Sequence, residues 1–155
     1  MAVLEAVRAF LTGDGWPVED VEGQPALQTR FKGESGVWIC MVWVDEERQL
    51  LSFYSMWPEL IDAERREAVA LYATRVNFGA AVGDLELSMA GGELRYRTSA
   101  DVEGLDPLPD VFVKNLIHGN VLAFDALHAK IRAVAAGALS PAEAAGDLSL
   151  DLGQL

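Results

Sequence analysis

The chain has 155 residues, of which 51% are hydrophobic and 23% charged, and this is the composition of an ordinary globular domain. Twelve basic against twenty-four acidic residues leave a formal net charge of −12 at pH 7. This balance argues against nucleic acid and anionic membranes as partners, because binding to either depends on lysine and arginine side chains. The length predicts one domain whose core needs neither disulfides nor metal.

Two further absences narrow the expected class of protein. Cys40 is the single cysteine, so the chain can form no intramolecular disulfide and no cysteine-rich metal site. Residues 1–11 carry charges at helical spacing rather than the pattern of a secretion leader, and no apolar run reaches the ~20 residues of a membrane span. The sequence therefore predicts a cytoplasmic protein with no membrane partner.

The first half of the chain predicts one helix and three strands. Residues 3–11 place apolar side chains on one helical face, and Gly13 ends that helix. Residues 16–25 are polar and acidic, which predicts a connection without regular structure. The three predicted strands are 27–32, 37–44 and 50–57. In the first of them Leu27 alternates with polar neighbours, so that strand has one wet face.

The second predicted strand, VWICMVWV, is apolar at every position. Such a strand must be covered on both faces, and the helices of one small chain can cover one. If the even-numbered positions of this strand are the uncovered ones, their side chains and an aromatic residue of the next strand form the candidate client surface. Its residues are Trp38, Val42, Val44 and Trp57. The opposite parity presents Ile39, Met41 and Trp43. Two interpretations stay open: a surface for self-association or a protein client, and a core strand capped by its own loops.

The second half predicts a helix, a hairpin and a long helix. Residues 62–76 form the first helix, with Asp62 as its cap. Segments 81–89 and 93–99 form the hairpin, and a two-residue loop at Gly91-Gly92 makes Leu87 face Tyr96 and Glu86 face Arg97. Pro109 starts the long helix, and Ser140-Pro141-Ala142-Glu143 spells a capping box for a short last turn. The side chains expected in the core are Phe53, Leu87, Tyr96, Leu116 and Phe124.

The order of these elements is α-β-β-β-α-β-β-α. It predicts an α+β fold with a five-stranded, mostly antiparallel sheet, because short turns link neighbouring strands. Residues 1–139 form the predicted single domain, and residues 140–155 add a short helical turn and an acidic tail.

No residue pattern in the chain points to catalysis. His118 and His128 lie ten residues apart on one helix, ~15 Å along its axis, and cannot share a metal ion within one chain. Asp125 and His128, three residues apart, are typical of a surface contact rather than a catalytic dyad. The sequence predicts no enzyme activity, no cofactor and no metal. The alternative is a small-ligand-binding or enzymatic domain whose aromatic pocket is built from Trp38, Trp43, Tyr54 and Trp57.

Residues 49–99 resemble the YbjN-type bacterial domain family, described as sensory transduction regulators. The resemblance rests on four segments, LSFYSMWP, TRVNFG, GDLEL and GGELRYRTS, and extends more weakly over both terminal helices. The element order is similar to that of type III secretion chaperones, whose fold the family shares. The resemblance implies a small acidic homodimer that holds or regulates another protein, a client that the sequence does not identify.

The same resemblance implies where two copies would meet. The contact region is the helix 62–76 with the strand 82–89, and the candidate dimer contacts are Val69, Tyr72, Val76, Asp84 and Glu86. The family brings no catalytic residues.

Overall fold

Three helices pack on an antiparallel sheet, and a short fourth helix packs on two of them, in the computed structural model, which describes residues 3–146. The strands are β1 (Val18–Asp20), β2 (Ala26–Lys32), β3 (Val37–Asp45), β4 (Leu50–Met56), β5 (Asp84–Leu87) and β6 (Leu94–Asp101). The helices are α1 (Val3–Gly13), α2 (Arg66–Gly79), α3 (Asp110–Ala135) and α4 (Pro141–Ala145), and a 3₁₀ turn at Ala63–Arg65 leads into α2. The strand order is β1-β2-β3-β4-β6-β5, with each neighbouring pair antiparallel.

The α+β class and the antiparallel sheet were predicted, but the number of strands was wrong. The sixth strand is β1, which lies in the acidic segment expected to be an irregular connection and pairs Val18 with Thr29. The Thr29 hydroxyl also donates to the carbonyl oxygen of Pro17, which holds the start of β1 against β2. Hydrophobic patterning cannot identify such a strand, because a short edge strand can be polar on both sides.

The core lies between the sheet and the helices. From α3, apolar side chains spaced three, four or seven residues apart point inward: Val113, Ile117, Val121, Phe124 and Ile131. Of the side chains expected in the core, Phe53, Tyr96 and Phe124 are buried, and Leu87 and Leu116 are half-buried.

One polar side chain of α3 enters this core. The buried Asn120 amide donates to the carbonyl oxygens of Phe53 and Tyr96, each at 3.0 Å, and its Oδ1 accepts from the Ser55 hydroxyl at 2.6 Å. These bonds join α3 to β4 and β6.

The β5–β6 hairpin keeps its predicted faces but not its predicted register. Leu85, rather than Leu87, pairs with Tyr96, and Glu86 pairs with Arg95 rather than Arg97. The error is two residues, and two residues restore the same face of a strand. The loop is wider than expected because the Arg66 guanidinium donates to three of its carbonyl oxygens, those of Met89, Ala90 and Gly91.

The helix ends match the sequence in part. Ser140 caps α4 as predicted, since its hydroxyl accepts from the Glu143 N–H at 3.1 Å. The Asp62 cap was wrong: its carbonyl oxygen, not its side chain, accepts a hydrogen bond from the Arg65 N–H. Ala144 and Ala145 of α4 are buried in the same core as the other helices. The acidic tail predicted at 147–155 lies outside the described residues.

Candidate functional site

One face of the sheet carries no helix from residues 3–146. The buried side chains of β3 alternate with exposed ones, and the buried set belongs to the face that α1 and α3 cover. The uncovered face, called here the open face, is crossed at its centre by β3 and β4. The larger apolar side chains that these two strands place on it are Val37, Ile39, Met41, Trp43, Leu50, Tyr54 and Met56, and the polar ones are Asp45 and Ser52.

The centre of the open face is apolar and accessible. The Ile39 and Trp43 side chains are each 40% exposed, and Val37 is 51% exposed. Met41 pairs directly with Tyr54 across the two strands, which joins the apolar residues of β3 and β4 into one patch. Contiguous exposed apolar surface of this kind typically marks an interaction site.

Basic side chains border this patch on both sides. On one side β2 presents Arg30 and Lys32, and neither forms a salt bridge with a carboxylate of residues 3–146. On the other side β6 presents Arg95 and Arg97. The Arg95 guanidinium lies 4.4 Å from the centroid of the Tyr54 ring, close enough for a cation–π contact.

The two outermost strands carry acidic side chains on the open face. Glu86 of β5 accepts from Arg95 Nε at 2.9 Å and lies 3.0 Å from an Arg97 terminal nitrogen. At the other edge Glu19 of β1 pairs with Gln28. The open face is therefore apolar at its centre, basic beside the centre and acidic at its edges, although the whole chain carries a net charge of −12.

The candidate client surface named from the sequence was assigned to the wrong side of the sheet. Its members lie on the helix-covered side and are buried, with exposed fractions of 7% or less: Trp38, Val42, Val44 and Trp57. The hairpin between β2 and β3 gives the reason, because it pairs Phe31 with Trp38 and Lys32 with Val37. The solvent-exposed face of β2 was predicted from the sequence. The pairing of β2 with β3 would have placed Ile39 and Trp43 on that same solvent-exposed side of the sheet.

The four aromatic residues of the alternative hypothesis do not share a pocket. Trp38 and Trp57 belong to the core, and Trp43 and Tyr54 belong to the open face. The two core rings instead pack around the buried His128, whose ring centroid lies 4.6 Å from that of Trp38 and 4.8 Å from that of Trp57. The sheet separates the two pairs.

Two of the candidate dimer contacts are inside the monomer. Val69 and Tyr72 of α2 are fully buried, because that side of the helix faces the core. The other three lie at or near the surface: Val76 and Glu86 are half-buried and Asp84 is exposed. The apolar side chains that α2 presents to solvent are Leu71 and Phe78.

Three titratable side chains, those of His128, Asp125 and Cys40, are buried or hold parts of the fold together. Burial lowers the pKa of His128 below its usual value, and neither ring nitrogen has a hydrogen-bond partner among the described residues. Asp125 accepts from the Glu34 and Ser35 N–H groups, both at 2.9 Å, and so holds the β2–β3 turn against α3. Burial raises the pKa of the Cys40 thiol to about 12, which keeps it protonated and unreactive.

Groups of acidic, histidine and cysteine side chains able to hold a metal ion are not found within residues 3–146. Over the same range, no helix is both long and apolar enough to cross a membrane. His118 Nε2 lies 3.1 Å from Asp14 Oδ2 on the surface. The two histidines therefore occupy different environments, because His128 is buried.

Comparison with models of protein families and with curated protein sequences finds no match to this chain. The resemblance to the YbjN-type family stays a prediction from the four sequence segments.

Proposed function

We propose that this chain is a non-enzymatic protein-binding module with a chaperone-like or regulatory role, and that it binds its partner on the open face. One observation carries the proposal: the apolar centre of that face, with Ile39 and Trp43 each 40% exposed, lies outside the chain's own core. When the domain folds alone, the exposed part of these two side chains stays in water, and a partner would bury it.

The charges on this face suit a partner segment that is apolar and acidic. Arg30 and Lys32 have no salt bridge to a described residue, so an incoming carboxylate would meet unpaired cations beside the apolar patch. Charge complementarity of this kind speeds association and selects partners more than it raises affinity. We therefore expect binding to weaken as the salt concentration rises.

The proposed module acts as a homodimer. The family resemblance supports this state, and so do Leu71 and Phe78, which α2 presents to solvent on the side away from the core. In a two-fold interface each surface residue occurs twice, so one charge introduced there disturbs the contacts of both copies. Because Val69 and Tyr72 are buried, charges at those positions would unfold the monomer rather than separate two copies.

The open face is tested by Trp43→Glu and Ile39→Glu, with Val111→Glu as the matched control. Val111 is exposed on α3, on the other side of the molecule. Proteins captured by the unmodified chain and by the control should be lost from both open-face variants, while all three variants keep the unmodified melting temperature. Equal capture by all forms would contradict the proposed surface.

The dimer is tested by Phe78→Glu and light scattering. The unmodified chain should give twice the 16.8 kDa chain mass at micromolar concentration, and the variant should shift toward 16.8 kDa. An unmodified chain that scatters as a monomer would exclude the dimer and leave the proposed open-face surface standing.

A further inference from the structure

A groove lies on the helix side of the molecule, away from the open face. It has a volume of about 420 Å³, which is within the ~300–1,000 Å³ range of small-molecule pockets. Its walls come from the end of α2, the segment before β5, one face of α3, and α4. The apolar residues that bear on its chemistry are Val76, Val82, Ala123 and Leu127.

A buried hydroxyl without a partner belongs to this groove. Tyr72 lines it and is fully buried, and its phenol oxygen makes no hydrogen bond to any described residue. The neighbouring Tyr96 also lines the groove, but its hydroxyl donates to the Val82 carbonyl oxygen. A buried donor is normally satisfied, so the Tyr72 hydroxyl needs an acceptor that residues 3–146 do not supply.

A single cation lines the groove among the described residues. Lys130 follows Ala123 and Leu127 at helical spacing on α3, and these three residues line the groove together. The ammonium group forms no salt bridge with a carboxylate of the described chain, although acidic residues outnumber basic ones two to one. An unpaired cation beside an apolar wall favours an anion that carries an apolar body.

We propose that this groove binds an alkyl carboxylate of about ten carbons, a size that suits the groove volume. The hydrocarbon chain packs along the walls at Val76, Val82 and Leu127. The carboxylate accepts from Lys130. The Tyr72 hydroxyl has less than 1 Å² of accessible surface, so it donates to the carboxylate only after its ring shifts toward the groove. This site shares no residue with the open face, so it stands whether or not the protein-binding function is correct.

Binding is measured by calorimetry with decanoate, at concentrations below those at which it forms micelles. The unmodified chain should bind decanoate and should bind decanol more weakly, because decanol has the same chain without the charge. Lys130→Gln removes one charge-assisted hydrogen bond and, because Lys130 is exposed, should weaken decanoate binding by roughly two- to five-fold. Lys114→Gln, an exposed lysine of the same helix that does not line the groove, is the matched control and should leave binding unchanged.

Tyr72→Phe separates a ligand contact from a structural role. Its hydroxyl has no partner in the described chain, so its removal should leave the melting temperature without ligand unchanged or raised. The same variant should bind decanoate more weakly than the unmodified chain.

Three results would overturn the proposal. The first is the absence of decanoate binding to the unmodified chain, and the second is equal binding by the Lys130→Gln variant. The third is binding that appears only after residues 147–155 are deleted or only in the monomer, because the occupant would then be that segment or a second copy of the chain.

Discussion

Phe124 gives the most direct test of the core. Its side chain is fully buried on α3, and aromatic rings surround it. Its ring centroid lies 4.8 Å from that of His128 and 5.3 Å from that of Trp38, while those of Trp57 and Tyr96 lie at 6.1 Å and 6.3 Å. The ring joins α3 to three strands or strand ends of the sheet.

Phe124→Ala should lower the free energy of unfolding by about 3–5 kcal/mol, the range for a buried aromatic side chain cut to alanine. We expect the upper half of that range, because the neighbouring rings are rigid and cannot collapse into the cavity. Edge-to-face pairs such as the one with Trp38 add roughly 0.5–1.5 kcal/mol to burial alone. For a chain of this length the melting temperature should fall by roughly 6–20 °C.

The assay is urea unfolding followed by tryptophan fluorescence and by circular dichroism, so that agreement of the two probes checks two-state behaviour. Leu122→Ala is the control, because Leu122 lies two residues away on the same helix and is 62% exposed. It should change stability by no more than about 0.5 kcal/mol. A loss below about 1 kcal/mol for Phe124→Ala would mean that α3 turns a different face to the sheet.

Three other predictions concern polar groups that the core or the β2–β3 turn holds in place. Burial lowers the pKa of His128, so its imidazole is protonated in the unfolded chain at a higher pH than in the folded chain. The free energy of unfolding should therefore fall as the pH drops through about 6.5. His128→Leu should reduce this pH dependence, measured by urea unfolding between about pH 7.5 and about pH 5.5. Asn120→Leu removes the amide that joins α3 to two strands and should cost about 2–4 kcal/mol in the same assay, against almost no change for the exposed Asn115→Leu. Burial raises the pKa of Asp125, but the N–H donors of the β2–β3 turn lower it by more, so the net shift is downward. Asp125→Asn should therefore reduce stability at neutral pH, and the loss should diminish as the pH falls below the usual aspartate value of about 3.8.

Each of these has a result that would contradict it. An equal pH dependence with and without His128 would mean that its imidazole is hydrated in the folded chain. Equal losses for the two asparagine variants would mean that the buried amide bonds contribute nothing beyond helix propensity. A cost of Asp125→Asn that persists unchanged in acid would mean that shape rather than charge holds the turn.

Local patterns in the sequence predicted most of the elements, because periodicity and capping act over a few residues. The capping box at Ser140 and the strand 37–44 are of this kind. The parity of the hairpin was also predictable, because the alternation of Leu85 and Leu87 with acidic residues fixes a face. Its register was not, because it depends on Arg66, a side chain of another element that binds the carbonyl oxygens of the loop.

Long-range choices were the ones that failed. β3 is apolar on both sides, so its own sequence cannot say which side the helices cover. The decision lies in β2, whose polar residues Arg30 and Lys32 fix the solvent side, and in the four-residue turn that pairs Lys32 with Val37. The groove beside Tyr72 was equally hidden, because its walls come from separate segments that reach from Tyr72 to Ala145.

The exposed side of β3 connects the fold to the proposed function. Ile39 and Trp43 remain 40% exposed, so part of their apolar surface meets water both before and after folding and contributes little to stability. Strand propensity explains the presence of branched or aromatic side chains there, but threonine has comparable propensity and would leave the face polar. The apolar character therefore suits the proposed function, in which a partner covers this face. In this proposal, a protein partner would bury the apolar centre and would pair with Arg30 and Lys32, which have no salt bridge within residues 3–146.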